Sequence, residues 1–279
     1  MDAERPETQL HEAQILDQFT RQADPFVRRH AHTNDDLLAA MADCAAVSPD
    51  DTVLDVACGP GIVSCFFAKR ARHLTGLDMV PAMLERARSF QAQQDVPNVT
   101  WQLGASTHLP FAGETFDCVV TRFSFHHFLE PAIALREMKR VAKSGGTILV
   151  CDVAPGAETQ KSFNEWEILR DPSHTCALTE EQFEQLGHAA GLKLHRKSHY
   201  TLAMNLEKLL AGSFPNPGDA EKIRALFAED VRSGANRLGV AAQNTSEGIQ
   251  LAYPVILLAW RKPEPRRGEE PAVAPGISK

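Results

Sequence analysis

The spacing of apolar and polar positions changes three times along the 279-residue chain. Residues 1–48 place apolar side chains at helical spacing, which predicts two or three helices, with a break where proline follows Asp24. Residues 49–155 then alternate short apolar runs with amphipathic stretches, which indicates strands and helices in turn. Beyond Pro155 the pattern is polar and irregular until a capping-box sequence opens a helix at Thr179.

The alternating region contains five predicted strands, each an apolar run and not a strict alternation, over 52–57, 73–78, 99–103, 116–121 and 146–153. Helices are predicted between them over 62–72, 80–94 and 131–143, and two further strands follow over 192–204 and 253–262. Continuous apolar strands are typical of a parallel sheet that helices cover on both faces. The pattern therefore predicts an α/β fold with a doubly wound, mostly parallel sheet.

The same pattern divides the chain into four predicted regions. Residues 1–48 are predicted to form an N-terminal helical lid, and residues 49–155 the Rossmann-like core that binds a ligand. Residues 156–262 are predicted to complete the sheet and to carry insertions that shape a substrate pocket. Residues 263–279 are rich in Pro, Gly and charge, which predicts a disordered tail.

Charge and composition narrow the class of partner. The formal net charge is −7, whereas proteins that grip phosphate backbones are usually basic, so we expect a small-molecule substrate and no nucleic acid. The polar N-terminus and the lack of a long apolar run predict neither a leader nor a membrane span. Six cysteines without a CxxC pair favour buried free thiols in the cytoplasm. A monomer and a homodimer are both compatible with this composition.

Residues 55–62, directly after the first predicted strand, read DVACGPGI. The two glycines let a ligand approach the backbone, and the helix that follows offers free N–H groups. A P-loop would need Lys and Ser or Thr after the second glycine, and a nicotinamide fingerprint would need glycine where Ser64 stands. S-adenosylmethionine (SAM), which carries no phosphate, fits better, because Asp55 suits its ammonium group and Asp78, at the end of the second strand, suits its ribose.

Four segments in this order, VLDVACGPG, GLDMVPAMLERAR, LPFAGETFDCVVTRFSFHHF and REMKRVAKSGGTILV, carry a resemblance to a known family. The chain resembles the class I SAM-dependent methyltransferases, in the small-molecule branch of the ubiquinone/menaquinone biosynthesis methyltransferases (methyltransferase type 11 domain). The resemblance implies a seven-stranded sheet with an antiparallel last strand, and SAM as a cofactor that leaves as S-adenosylhomocysteine (SAH). It also implies a cofactor site with Asp55, Ala57, Gly59 and Gly61 around the methionine part, Asp78 on the ribose and Met79 against the adenine.

One segment departs from the family pattern. Residues 104–107 read GAST where the family usually has Gly-Asp-Ala-Glu, so Ala105 replaces the acid that would meet the adenine amino group. Ser106 is expected to supply contacts there instead. Thr121 and Arg122, at the end of the fourth strand, are predicted to lie beside the cofactor.

Histidines near the ends of strands four and five are the candidates for catalysis. Methyl transfer needs an aligned nucleophile and, where that nucleophile carries a proton, a base, and histidine titrates in the useful range. One of His126 and His127 is predicted to face the substrate. The alternative is that one of them caps or packs under the helix and the other is solvated. Asp171 and His174 are alternative candidates, although Asp-Pro-Ser-His is also ordinary turn chemistry. A metal site is disfavoured because adjacent histidines rarely bind one ion from the same face.

The sequence thus predicts a SAM-dependent methyltransferase that acts on a small molecule at oxygen or at a ring carbon, the acceptor being aromatic or quinol-like. Phe19 is a candidate for cofactor contact from the N-terminal lid, with helix packing as the simpler interpretation. Two alternatives stay open: a SAM-binding enzyme of non-methylating chemistry, and a methyltransferase of protein or RNA. A nicotinamide oxidoreductase is a third, more distant alternative.

Overall fold

A computed structural model describes residues 6–30 and 35–264, with side chains described for 6–22 of the first range. In these ranges the chain forms eight strands, which are β1 (Thr52–Val56), β2 (His73–Asp78), β3 (Val99–Leu103), β4 (Phe116–Arg122), β5 (Ala142–Val153), β6 (Lys193–Asn205), β7 (Gln243–Thr245) and β8 (Gly248–Arg261). The helices are α1 (Pro6–His30), α2 (Asp35–Ala45), α3 (Ile62–Ala68), α4 (Pro81–Gln94), α5 (Pro131–Val141), α6 (Gln160–Arg170), α7 (Glu180–Ala189), α8 (Leu206–Ala211) and α9 (Asp219–Ser233).

One sheet holds all eight strands, in the order β3-β2-β1-β4-β5-β8-β6, and the short β7 pairs with β8. Strands β1 to β5 pair in parallel, and β8 runs antiparallel to both β5 and β6. The strand order reverses between β1 and β4, so a crevice opens at the carboxyl ends of these two strands, which is where doubly wound sheets bind ligands. The predicted antiparallel strand near the end of the chain is confirmed.

Two apolar layers enclose the sheet. One contains Leu37 and Met41 of α2, Phe67 of α3 and Trp166 of α6. The other contains residues of α5 and α7, with Phe183 buried among them. Helices thus cover both faces, as the continuous apolar runs of the strands predict. None of the helices in the described ranges is long and apolar enough to cross a membrane.

The predicted strands and the capping box at Thr179 are confirmed, because their signals are local. Three details were predicted wrongly. Helix α1 continues through Asp24 and Pro25, helix α6 lies within a segment predicted as irregular, and β7 adds an eighth strand. Most of the tail predicted to be disordered lies outside the described residues.

Helix α6 escaped prediction because most of its positions are polar. Its apolar side is built by Phe163 and Trp166, three residues apart and therefore on one face of the helix, and both are fully buried. The Trp166 indole N–H donates to the carbonyl of Leu238 at 3.1 Å, which ties α6 to the segment after α9. Two large aromatic side chains thus bury the helix where a longer apolar pattern is lacking.

Candidate active site

The loop between β1 and α3 turns through three residues with left-handed backbone, Ala57 (φ 56°), Gly59 (φ 53°) and Gly61 (φ 83°). A Cβ on Gly61 would lie 2.6 Å from the Trp101 ring, whereas a Cβ on Gly59 would meet nothing within 4 Å. Gly61 is therefore required by packing as well as by its backbone angle, and Gly59 exposes bare backbone to the crevice. Glycine is therefore needed at positions 59 and 61 for two different physical reasons.

Two buried carboxylates border this loop. Asp55, at the end of β1, accepts a hydrogen bond from the Ser64 hydroxyl at 2.6 Å. Asp78, at the end of β2, accepts from the backbone N–H of Gly59 at 2.8 Å and from that of Val80 at 2.9 Å. Burial raises the pKa of Asp55 to about 7 and that of Asp78 to about 6. Asp78 thereby fixes the glycine loop while its carboxylate stays next to the crevice.

A first cavity opens at the carboxyl ends of β1, β2 and β4, beneath α1, and encloses about 1240 Å³ including the solvent at its mouth. Eight of the ten residues predicted to bind the cofactor line it, namely Asp55, Ala57, Gly59, Asp78, Met79, Ala105, Ser106 and Arg122. The other two lie behind the wall. Gly61 packs on Trp101, and the Thr121 hydroxyl donates to the carbonyl of Val56 at 2.7 Å.

Helix α1 forms one wall of the first cavity with side chains that include His11, Ile15 and Phe19. Its His11 ring donates from Nε2 to the carbonyl of His127 at 2.7 Å. Phe19 contacts the His127 ring edge-on, with centroids 4.9 Å apart. Sequence reasoning had named Phe19 but not His11, whose polar position on α1 gave no signal of an inward orientation.

Arg122 brings a positive charge to the first cavity. Its side chain lines the cavity, its residue is only 9 % exposed, and Nη1 has no hydrogen-bond partner within the described part of the chain. Burial lowers the pKa of this guanidinium, and the nearby Asp55 charge offsets that effect only in part. Since buried donors are nearly always paired, Nη1 is suited to an anionic group of a ligand.

A second cavity of about 660 Å³, counted in the same way, adjoins the first. Both cavities share Phe19, Phe123 and His127 in their walls, so these three side chains separate them. Phe123 has φ 52°, which is a strained backbone for a large aromatic residue. Such strain concentrates at functional sites, and here it lies at the boundary between the two cavities.

His126 lines the second cavity and is held by Asp152, at the end of β5. One Asp152 oxygen accepts from the backbone N–H groups of Ser124 and Phe125, which are the free donors at the start of the short turn Phe125–His127. The other oxygen accepts from Nδ1 of His126 at 2.6 Å. Burial lowers the pKa of His126, but the Asp152 carboxylate more than offsets this, so the pKa lies above its ordinary value.

His127 lines both cavities and is held differently. Its Nδ1 donates to the carbonyl of Ser173 at 3.0 Å, which leaves the lone pair on Nε2. Burial lowers the pKa of His127 to about 4, so the ring is neutral near pH 7. The centroids of the His126 and His127 rings are 4.3 Å apart.

Asp171 shapes the loop that holds His127. It accepts hydrogen bonds from the backbone N–H and the hydroxyl of Ser173, at 3.0 and 2.6 Å, and from Gln22 of α1 at 3.1 Å. Burial works to raise the pKa of Asp171, but the Arg170 charge and the Ser173 hydrogen bonds hold it below its ordinary range. Asp171 thus holds the Asp-Pro-Ser-His turn together and also lines the second cavity.

His174 lies apart from both cavities. Its Nε2 contacts the side-chain oxygen of Asn164 at 2.7 Å, and its ring lies 5.5 Å from that of His126. Burial lowers its pKa. The geometry thus brings His126, His127 and Asp171 to the second cavity and leaves His174 behind them.

Three further residues of the second cavity were not predicted from the sequence, the charged Glu167 and Arg170 and the phenol of Tyr253. Glu167 accepts from Tyr253 at 2.7 Å and from Arg170 at 2.6 Å. Arg170 also donates to the Ser213 hydroxyl at 3.1 Å. Within the described ranges, His, Cys, Asp and Glu side chains form no group of three or more placed to hold a metal ion.

Comparison with known proteins points to one kind of enzyme. Residues 54–150 match a family model described as a methyltransferase domain. The uncharacterised methyltransferase YcgJ of Bacillus subtilis strain 168 is 28% identical over 206 residues, which are 73% of this chain and 81% of YcgJ. The ubiquinone/menaquinone biosynthesis C-methyltransferase UbiE of Ruegeria sp. strain TM1040 is 37% identical over 130 residues, 45% of this chain and 52% of UbiE. The chain thus spans about half the length of UbiE.

Solved structures agree on the fold. The crystal structure of B. subtilis YcgJ has a TM-score of 0.73 at 26% identity and covers 82% of this chain and 98% of YcgJ. The [4+2]-cyclase SpnF has a TM-score of 0.59 at 21% identity, covering 83% of this chain and 82% of SpnF, which shows a common fold alone.

A mostly parallel sheet whose glycine loop and two strand-end carboxylates border one crevice has the layout of a Rossmann-like ligand-binding site. Residues 54–150 carry a methyltransferase domain on this fold, and the relatives that the chain resembles include methyltransferases, which supports SAM-dependent methylation.

Proposed function

We propose that the chain binds SAM in the first cavity and methylates an oxygen of a small molecule held in the second. The observation that carries the proposal is the orphaned Nη1 of Arg122, a buried cation in the same cavity as Asp55 and Asp78. SAM has a carboxylate, an ammonium group and a ribose diol, which these three charges complement. The net charge of −7 supports a small acceptor over a nucleic acid.

The residues of the first cavity fit this ligand one group at a time. Arg122 offers a charge-assisted hydrogen bond to a carboxylate, and Asp55 offers its carboxylate to an ammonium group. The oxygens of Asp78 can each accept a further hydrogen bond from a ribose hydroxyl. The open space at Gly59 lets the ligand approach the backbone. When bound, SAM supplies a methyl group that its sulfonium already activates.

Ala105 lines the first cavity without a carboxylate for the adenine amino group. The neighbouring Ser106 lines the same wall and has a hydroxyl and a backbone carbonyl that can accept hydrogen bonds there. Met79, also in this wall, can pack against the face of the purine ring. We therefore place the adenine between Met79 and residues 104–107.

His127 is the proposed general base. It is the histidine that lines both cavities, its Nε2 carries a lone pair, and its lowered pKa keeps that lone pair available at neutral pH. Asp171 acts through Ser173 as a positioning residue for this ring. We assign His126 to the acceptor side of the second cavity.

Titration calorimetry with SAM, SAH and NAD⁺ tests the cofactor assignment. We expect the first two to bind and NAD⁺ not to bind, and an acceptor-dependent release of SAH to identify methyl transfer. Binding of SAM without release of SAH for any acceptor would favour a non-methylating enzyme, and binding of NAD⁺ alone would overturn the proposal.

The variant Arg122→Met isolates the decisive contact. Loss of a charged hydrogen bond should weaken SAM binding by about 10- to 100-fold, from roughly 1.5–3 kcal/mol. The melting temperature without ligand should change little, because Nη1 has no hydrogen bond to lose within the described part of the chain. Unchanged affinity for SAM would show that Arg122 faces some other group.

A further inference from the structure

Two histidine rings of the second cavity, His126 and His127, are each held by the protein through Nδ1. Nδ1 of His126 is bonded to Asp152, and Nδ1 of His127 is bonded to Ser173. Both rings line the cavity, and the Nε2 atom of neither ring is hydrogen-bonded to the part of the chain that the structure describes. The ring centroids are 4.3 Å apart, so the two rings lie next to each other in the wall of this cavity.

The two nitrogens have opposite hydrogen-bonding character. Ser173 contributes a carbonyl, which can only accept, so His127 must donate from Nδ1 and accept at Nε2. Asp152 contributes a carboxylate, which stabilises the imidazolium form of His126 and so favours an N–H at its Nε2. The raised pKa of His126 and the lowered pKa of His127 agree with this difference. The cavity thus presents one acceptor and one donor side by side.

The remaining charges of the second cavity are bonded among themselves. Glu167 is paired with Arg170 and Tyr253, and Asp171 is held by Ser173 and Gln22. Among the described residues, Arg170 is the one cation that faces both Glu167 and Asp171, so this group has a net negative charge, which disfavours an anionic acceptor. The other walls are apolar, with Phe19, Phe123 and Leu202 among them, and suit a flat ring.

We propose that the methyl acceptor is a compact, uncharged ring that carries two oxygens on neighbouring carbon atoms, one of them a hydroxyl. The hydroxyl donates to Nε2 of His127, and the neighbouring oxygen accepts from Nε2 of His126. The proposal rests on the function proposed above and names its substrate class. The second cavity, counted in the same way, has about half the volume of the first, which suits an acceptor smaller than SAM.

The transfer step balances with these groups. A lone pair of the hydroxyl oxygen forms the new bond to the methyl carbon, while the bond from that carbon to sulfur breaks and its electron pair stays on sulfur, giving SAH. The hydroxyl proton passes to Nε2 of His127 and from there to solvent. His126 holds the second oxygen throughout and neither gains nor loses a proton.

Three isomeric benzenediols test the geometry without any change to the protein. Catechol, resorcinol and hydroquinone share one formula and differ in the separation of their oxygens. We expect kcat/KM for catechol to exceed that for either isomer by about tenfold or more, the value of one additional hydrogen bond. Calorimetry with the SAH-bound protein should show the same order of affinity with no turnover involved. Equal rates or equal affinities for the three isomers would overturn the proposal.

Two variants separate the roles of the histidines. In His126→Asn the amide can still donate to Asp152, but Nε2 is lost, so the preference for catechol over resorcinol should fall toward one. In His127→Asn the bond to Ser173 is kept and Nε2 is lost, so kcat should fall by about 100-fold or more and catechol affinity by about tenfold. His195→Asn, on the exposed part of β6, is the matched control.

The outcomes distinguish this inference from the function on which it rests. Failure to bind SAM would overturn the proposed function and the inference together. Binding of SAM with methylation of single hydroxyls as fast as that of catechol would overturn the inference alone. A preference for catechol that survives in a folded His126→Asn protein would also reject the role given to His126.

Discussion

At the scale of single residues, Gly59 and Gly61 offer a matched pair. Both have positive φ, but only a side chain at 61 would collide with Trp101. We expect Gly59→Ala to lower the free energy of unfolding by about 1 kcal/mol from backbone strain. Gly61→Ala should lower it by about 2–4 kcal/mol, because overpacking adds to the strain. Urea denaturation followed by tryptophan fluorescence measures both, and equal losses would contradict the packing role of Gly61.

The Asp78 carboxylate predicts a pH dependence of cofactor binding. Burial raises its pKa to about 6, so in the free protein it becomes neutral below that pH and can no longer accept from both ribose hydroxyls. Affinity for SAM should therefore rise as pH increases toward about 6 and should fall by about tenfold per unit below it. Asp55, with a pKa of about 7, adds a second step that should persist in Asp78→Asn. Calorimetry from about pH 5 to 8 checks the profile, and a flat curve would rule it out.

Single residues also show which parts of the candidate site could be predicted from the sequence and which could not. Asp55 and Asp78 were found because each is an acid at the end of an apolar strand. Asp152 carries the same signal at the end of β5 and was overlooked, since no motif surrounds it. Glu167 and Arg170 have the i,i+3 spacing of a helix ion pair, but their contact with Tyr253, which is 86 positions from Glu167 in the chain, could not be predicted.

At the scale of elements, helix α1 is the element whose amide exchange should change when SAM binds. It lines the first cavity with Thr8, His11 and Phe19, and is fastened to the loops of the site by His11 and Gln22. We expect SAM to slow amide hydrogen exchange between residues 8 and 22, while exchange in β6, on the far edge of the sheet, stays the same. Mass-spectrometric exchange with and without SAM measures this. Equal exchange in α1 would contradict its place over the cofactor.

The elements of the sheet were predictable because apolar runs define strands without reference to their neighbours. The continuity of α1 was not, since Asp-Pro weakens a helix locally without deciding whether it stops. Helix α6 needed two buried aromatic residues that face a core the sequence does not display. The strands of the sheet could therefore be predicted from local pattern, whereas the extents of the helices around the pocket depend on long-range packing.

At the scale of the whole molecule, the reactivity of the six thiols measures how far a reagent can reach into the folded protein. All six cysteines are free, and Cys176 alone among them is exposed. Burial raises the pKa of all six, so access of the reagent is what distinguishes Cys176 from the other five. We expect one fast-reacting group with an aromatic disulfide reagent in the native protein and six after unfolding in guanidinium chloride. Cys176→Ser should abolish the fast phase, and a second fast thiol would indicate that the first cavity opens at Cys58.

Phe19 stands in the walls of both cavities. The places proposed for the two reactants therefore meet at one side chain of α1. We expect both reactants to be bound before either product leaves, so initial rates measured with both concentrations varied should show a sequential mechanism.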